Sequence, residues 1–324
     1  MDNKKRMFGI IGLGKMGGNL ALQAMGKGYR VAGVDKSELS QELRQSALQK
    51  VKDVKELIES LERPRVVFLY IPAGKAVDTV IDELSAVMAK GDIIIDGGNS
   101  YWGDSIRRAG RMKDKGLYFI DCGTSGGVSG ARDGACFMVG GETEPVNLIA
   151  PILKDLAVPE GFVHTGPSGS GHFVKLVHNG IEFGMLEAIG EGMDMLERYR
   201  AKLNIKDILH AWNHGSVIRS WLVELMEETY KDLDGMESVP PYIEDTGEVN
   251  WLVGDAMHME VPIPVISQSV MRLFASRDSQ NNWARAIAMM RHGFGGHPYG
   301  ESEGIKHERK FGRVGDYLME KEKN

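Results

Sequence analysis

The run Gly12-Leu13-Gly14-Lys15-Met16-Gly17 stands between a short apolar stretch, Phe8–Ile11, and a helical pattern over residues 18–27. Alone, such a glycine pattern says little; between a strand and a helix it restricts the fold sharply. Gly12 permits a tight turn, Gly14 lets a pyrophosphate approach the backbone, and Gly17 lets the helix lie on the strand. Amides at the start of that helix then face the phosphate charge. A second strand, Arg30–Val34, leads into Asp35, whose carboxylate is spaced to accept hydrogen bonds from a ribose 2′-hydroxyl. That favours NAD over NADP, although the neighbouring Lys36 carries an ammonium able to reach a 2′-phosphate. Leu13 and Met16 lie in the same turn and join Gly12, Gly14, Gly17 and Asp35 as expected cofactor contacts. A plain strand–turn–helix bend is the alternative reading.

The alternation of strand and helix continues. Arg65–Ile71, Asp92–Asp96 and Tyr118–Cys122 read as buried strands, with Cys136–Val139 and Phe162–Thr165 as shorter candidates. From Gly171 onward strand signals give way to helical patterns over 173–199, 204–232, 247–259, 264–277 and 281–291. The expectation is an α/β Rossmann-type doubly wound sheet followed by an all-α C-terminal domain. Residues 1–168 form the dinucleotide-binding part. Residues 169–324 form a helical substrate and dimerisation part with a C-terminal tail. Ligands in such sheets bind beyond the carboxyl ends of strands. Two of those ends carry polar chemistry: DGGNS at 96–100, with Asn99, and DCGTSGGVSGARDGA at 121–135, with Ser125, Gly126 and Gly127. Each could also be an ordinary polar turn.

Within the helix expected from residue 169 onward, Lys175, His178, Asn179 and Glu182 stand at i, i+3, i+4 and i+7. At helical spacing they fall within an arc of about 100°. An amine, an imidazole, an amide and a carboxylate on one stripe suit proton transfer around a polyol or acid better than they suit a core. A solvated face with a Lys175–Glu182 pair is the competing reading. Val177, Ile181 and Gly184 are expected to point towards a packed side.

Composition narrows the remaining choices. A net charge of −6 without a basic stripe speaks against nucleic acid, and the segment from 305 to 324 mixes both signs. The N-terminal apolar run is broken by glycines and Lys15 and is too short for a signal peptide or a membrane span. Cys122 and Cys136 lack CxxC spacing and sit in apolar surroundings, so buried thiols in a cytoplasmic protein are expected. His210 and His214 stand at i, i+4; with no acidic or thiol partner at ligand spacing, a capping or core role is favoured over a metal. The site set therefore contains no metal ligand. Trp212, Trp221, Trp251 and Trp283 are expected as core or subunit-interface anchors.

GLGKMGGNLA at 12–21, DGGNS at 96–100, SGGVSGARDGA at 125–135, GHFVKLVHNGIEFG at 171–184 and MRHGFGGHPYG at 290–300 occur in one order. In these motifs, over residues 8 to about 300, the chain resembles the β-hydroxyacid dehydrogenases. Within them it is most similar to the short-form decarboxylating 6-phosphogluconate dehydrogenases. The resemblance implies a phosphorylated sugar acid as substrate and NAD, or NADP, as cofactor. It places Asn99, Ser125, Gly126, Gly127, Lys175, His178, Asn179 and Glu182 at the substrate site, with Asn99 also against the cofactor. Arg291 and His297 match the tail residues that in the family grip phosphate in a neighbouring subunit, which implies a homodimer or tetramer. By the same resemblance Lys175 is the base, Glu182 the acid, and His178 and Asn179 orient hydroxyls. As base, Lys175 must lose its proton more readily than the ordinary value of about 10.4 allows.

The chain departs from the long form at Phe183, where that form has tyrosine, and at Asn250-Trp251, where it has lysine before tryptophan. Arg272, Arg277 and Arg285 are candidates to replace that lysine. A dehydrogenase of small unphosphorylated 3-hydroxy acids and a non-enzymatic nucleotide-binding protein are the rival readings. Arg291, His297 and the pair 178–179 weigh against the first, and the intact Lys175 and Glu182 against the second.

Overall fold

Residues 5–307 are described in the structure, a computed structural model. Met1–Lys4 and most of the mixed-charge segment at 305–324 lie outside the described residues. In chain order the first elements are β1 (Met7–Ile11), α1 (Lys15–Gly26), β2 (Arg30–Val34), α2 (Gln41–Gln45), β3 (Gln49–Lys50), α3 (Val54–Ser60), β4 (Val66–Leu69) and α4 (Lys75–Val87). There follow β5 (Ile93–Asp96), α5 (Trp102–Asp114), β6 (Tyr118–Ser125), α6 (Gly127–Asp133), β7 (Ala135–Gly140), α7 (Thr143–Leu156) and β8 (Ala157–Gly166).

The strands form one sheet in the order β3-β2-β1-β4-β5-β6-β7-β8. All neighbours are parallel except β6 and β7. The strand order reverses at β1, the place where such sheets open a crevice for ligands. Helices cover both faces, so β1, β4 and β5 are buried throughout rather than alternating, with Asp96 at the end of β5 the one charged residue among them. Phe8 and Ile10 of β1 enter one core with Leu20 and Ala24 of α1 and Ile149 and Leu153 of α7. Met7 and Ile11 enter the other, with Leu57 of α3, Ile81 and Leu84 of α4 and Met112 of α5. The Rossmann-type sheet expected from the sequence is thus present, with β2 at its expected limits.

One strand was not anticipated, and one expectation needs correction. The strand β3 consists of two exposed residues, Gln49 and Lys50, and carries no apolar signal. Cys122 is buried but Cys136 is exposed. Burial pushes the Cys122 thiol up, which keeps it protonated and inert.

By internal packing the chain divides inside its longest helix, α8 (Ser170–Glu197), into two compact units. One comprises the residues up to Gly180 with Glu248–Asp255. The other comprises Ile181–Gly247 and the described residues from Ala256 on. After α8 come α9 (Ile205–Asn213), α10 (Trp221–Leu233), α11 (Glu248–His258), α12 (Pro264–Arg277), α13 (Asn282–Gly295) and α14 (Glu303–His307). The helical second half is therefore as expected, but the pattern at 204–232 is two helices. The chain breaks at Gly215, with φ +108°, and Ser220 restarts it by accepting the Val223 N–H at 3.3 Å. The second unit's small core is Met193, Ile205 and Leu209, flanked by Trp212, Met226 and Tyr230. Ile181, expected on a packed side, is 53% exposed. Trp221, Trp251 and Trp283 are also exposed, which leaves the core role to Trp212.

Candidate active site

The glycine turn follows β1 and opens α1. Gly12 adopts φ +93°, and a Cβ there would lie 2.3 Å from the Tyr70 carbonyl oxygen. A Cβ on Gly17 would lie 2.0 Å from the Gly12 oxygen, whereas Gly14 meets nothing within 4 Å. Two glycines are thus required by packing and the third faces open space at a helix N-terminus, a cradle that fits a pyrophosphate. The carboxylate of Asp35 accepts the Leu13 N–H at 2.5 Å and the Ser37 N–H at 2.6 Å. It therefore already steadies the turn from within. Met16 is half-buried in the first turn of α1.

Strands β4, β5 and β6 keep a register in which Leu69, Asp96 and Asp121 lie side by side. The loops after β1, β4 and β5 consequently leave the sheet along one edge, and β6 runs past that edge to Ser125. Asn99 is exposed there and donates from Nδ2 to Glu248 Oε1 at 2.8 Å. Gly126 and Gly127 have φ +116° and +62°, the left-handed turn that carries the chain from β6 into α6.

Helix α8 brings its polar stripe to the end of β6. Ser125 Oγ lies 3.0 Å from His178 Nε2, and His178 Nδ1 lies 3.2 Å from Asn179 Oδ1. Lys175 Nζ stands 3.5 Å from His178 Nδ1. Asn179 is buried, while Lys175 and His178 are half-buried and so reachable by a small molecule. Four of the residues expected at the site are therefore joined by direct contact. Glu182 is half-buried one turn further along α8, within the second unit.

Arg291, at the end of α13, and His297 line one cavity of about 460 Å3 with Gly300, Ser302 and Lys306. Its wall carries two cationic groups, an imidazole and the Glu301 carboxylate, and Lys306 pairs with Glu303 at 3.2 Å and with Glu301 at 3.7 Å. The other arginine candidates are engaged elsewhere: Arg272 donates to Glu187 at 3.0 Å, and Arg277 pairs with Asp245 at 2.7 Å. Arg285 donates to Asn282 at 3.0 Å.

Two family models match consecutive stretches. Residues 7–166 match the NAD binding domain of 6-phosphogluconate dehydrogenase, and residues 171–308 match the C-terminal domain of 6-phosphogluconate dehydrogenase. The chain belongs to the 6-phosphogluconate dehydrogenase family. YqeC of Bacillus subtilis, itself named only provisionally as a 6-phosphogluconate dehydrogenase, is 40% identical over 291 residues, 90% of this chain and 98% of that protein. The NAD(+)-dependent, decarboxylating 6-phosphogluconate dehydrogenase of Haloferax volcanii is 36% identical over 90% of this chain and 97% of its own length. Among solved structures, the 6-phosphogluconate dehydrogenase of Plasmodium falciparum is 28% identical with a TM-score of 0.77, covering 93% of this chain and 68% of that one. Among the described residues no helix is long and apolar enough to cross a membrane.

Several residues that hold this family's site escape sequence reasoning. Asp121, fully buried, accepts the Gly169 N–H at 2.6 Å and the His172 N–H at 2.9 Å, so a strand carboxylate caps the N-terminus of α8. A Cβ on Gly123 would lie 2.5 Å from Lys175 Cβ, and one on Gly171 would lie 2.6 Å from three backbone atoms of β6 and β7. These two glycines set the distance at which Lys175 stands from the sheet. Tyr70 packs against Gly12 and Gly97 and shares a 3.2 Å hydrogen bond with Thr124. Burial pushes its phenol up, so it stays protonated. Asp121 and Gly123 stand in the glycine-rich stretch at 121–135 and Gly171 opens the motif at 171–184, but nothing local marks these contacts.

Of the two roles expected for His210 and His214, core is wrong, since both are exposed, but capping holds at His214, which ends α9 and donates from Nδ1 to the His210 carbonyl at 2.7 Å. Glu227 of α10 lies 2.7 Å from His210 Nδ1. The acidic partner that the local spacing lacked comes from the next helix.

Proposed function

We propose that the protein oxidises and decarboxylates 6-phosphogluconate to ribulose 5-phosphate, with NAD preferred and NADP accepted. The observation that carries this reading is the contact chain Lys175–His178–Ser125 with Asn179 at the end of β6. It is supported by the family and by the relatives that bear the activity in their names. A bound nicotinamide dinucleotide supplies the acceptor for the hydride that leaves C3 of the substrate. The glycine turn and the α1 N-terminus would hold its pyrophosphate, and Asp35 would meet its ribose.

Lys175 Nζ takes the proton of the C3 hydroxyl as that carbon becomes a carbonyl. If His178 carries its proton on Nδ1, the ring donates to Asn179 Oδ1 and accepts from Ser125 at Nε2. An uncharged Lys175 amine can then accept from the same ring, whereas an ammonium cannot. The new ketone is β to the carboxylate, so the C1–C2 bond breaks, CO2 leaves, and the electron pair enters the C2–C3 enediol. Protonated Lys175 steadies the oxygen at C3, and Glu182 delivers a proton to the carbon that lost CO2. Asn99 and the Ser125–Gly127 turn hold the carboxylate end. Arg291 offers a bidentate fork to the phosphate and His297 a further donor.

The reading includes a cytoplasmic homo-oligomer, dimer or tetramer. It is supported by α13, which buries no residue although Trp283 is 65% and Phe294 78% exposed. Sedimentation velocity that finds only a monomer would remove this part. The main test is reduction of NAD and of NADP by the protein with 6-phosphogluconate, trapping CO2. Reduction with equimolar CO2, faster with NAD, is expected. Reduction without CO2 would assign a simple hydroxyacid dehydrogenase instead.

A further inference from the structure

His210 and His214 lie one helical turn apart at the end of α9 and face the same way, with ring centroids 4.2 Å apart. Glu227 reaches them from α10. One ring nitrogen of each histidine and one oxygen of Glu227 lie within 4.8 Å of one another. We propose that these three side chains bind a divalent transition cation of the zinc type, with water completing the coordination, as a clip between α9 and α10.

The hydrogen bonds around the group prepare it for this. The His210 carbonyl can only accept, so His214 Nδ1 carries the proton and donates to it at 2.7 Å. That leaves the lone pair of His214 on Nε2, the form a metal takes, with the other nitrogen held by a carbonyl. Asn213 Nδ2 donates to Glu227 Oε2 at 3.4 Å and holds the carboxylate from behind. The hydrogen bond from His210 Nδ1 to Glu227 Oε1, at 2.7 Å, stands in for the cation in its absence.

Zinc–nitrogen and zinc–oxygen bonds of about 2.0–2.2 Å put tetrahedral ligand atoms roughly 3.3 Å apart. Both rings are exposed and have room to rotate from 4.8 Å towards that spacing. Two imidazoles and one carboxylate favour zinc, cobalt, nickel or copper over magnesium or calcium, which prefer oxygen. The two helices are joined by seven residues, 214–220, that no strand supports. A cation at this place would tie the two helices together beside that connection.

The test is calorimetric titration of the metal-free full chain with Zn2+ and separately with Mg2+. One Zn2+ per chain should saturate below ~100 µM, with Mg2+ far weaker. His214→Ala and Glu227→Gln, both at accessible side chains, should each weaken Zn2+ by about tenfold or more. Unchanged far-UV circular dichroism would show that both variants fold. Absence of saturable Zn2+ binding, equal Mg2+ affinity, or Zn2+ binding unaffected in both variants would each overturn the assignment. Because the readout is metal binding, its failure leaves the dehydrogenase reading untouched, and the reverse also holds.

Discussion

In the first unit Phe8, Phe68, Phe137 and Leu84 are completely buried between the sheet and its helices, whereas in the second α13 buries none of its fourteen residues. The helices of the second unit hold only a small core, and Met195, Met257, Trp283, Met289 and Phe294 are exposed in it. A sheet covered on both faces satisfies its own apolar surface. Helices of about four turns can do so only by packing on something else. On the proposed function the two parts divide the labour: the sheet carries the redox groups, and the helical part completes itself, and its grip on phosphate, in an assembly.

Paired substitutions can break that division. Lys175→Ala should lower kcat by roughly 10²–10⁴ and leave KM for 6-phosphogluconate nearly unchanged, because a general base acts in the transition state. Arg291→Ala should raise KM by about 10², since a charge-assisted pair is worth about 1.5–3 kcal/mol, with a smaller effect on kcat. Steady-state kinetics on both variants decides. If Lys175→Ala acts on KM alone, or Arg291→Ala on kcat alone, chemistry and grip are not divided in this way.

A smaller effect sharpens the same contrast from the side of packing. Gly123→Ala would push a methyl group to 2.5 Å from Lys175 Cβ and 3.0 Å from the Gly171 oxygen. Neither neighbour is the free end of a side chain, so β6 and α8 must part. The expected cost is about 1–3 kcal/mol of stability with a fall in kcat. Gly254→Ala, where a Cβ meets nothing within 4 Å in a helix, should instead be neutral or slightly stabilising. Urea denaturation of both variants measures this; equal costs would mean that the close approach at Gly123 does not constrain the site.

Much of this arrangement was legible in the sequence because its causes are local. The turn at Gly12, Gly14 and Gly17 depends on neighbours in the chain, and so do β2 and the stripe on α8. What escaped depends on residues far apart. The two residues of β3 are a strand only because Ala32 and Gly33 of β2 pair with them. Apolar periodicity runs on past Gly215 and masks the two local signals, Gly215 and the Ser220 cap, that separate α9 from α10. The residue types of the site were readable, but the contact of Ser125 with His178 follows from how α8 lies on β6. The cap that fixes that packing, Asp121, is a carboxylate inside a strand, which spacing rules do not assign to a helix 48 residues on.

The smallest expected effect concerns the buried charge on the sheet side. Arg108 is fully buried and donates to Asp78 at 3.1 Å and to the Gly74 carbonyl at 2.9 Å, with Asp96 at 3.5 Å. Burial alone would push the Asp78 carboxyl up, but hydrogen bonds and charge from Arg108 and Arg107 outweigh it and hold it at about 2, from an ordinary 3.8. The unfolded chain therefore takes up this proton first as pH falls. The contribution of Asp78 to stability is complete above its unfolded value and disappears as pH drops from about 4 towards 2. With a quarter of the side chain still exposed, the contribution is roughly 1–2 kcal/mol at neutral pH. Urea titrations of the natural protein and of Asp78→Asn should differ by this amount at pH 7, and the gap should shrink by about half at pH 3. A gap that stays constant over that range would show that Asp78 acts by shape and hydrogen bonding alone. The first unit would then owe its stability to apolar packing without help from its charged edge.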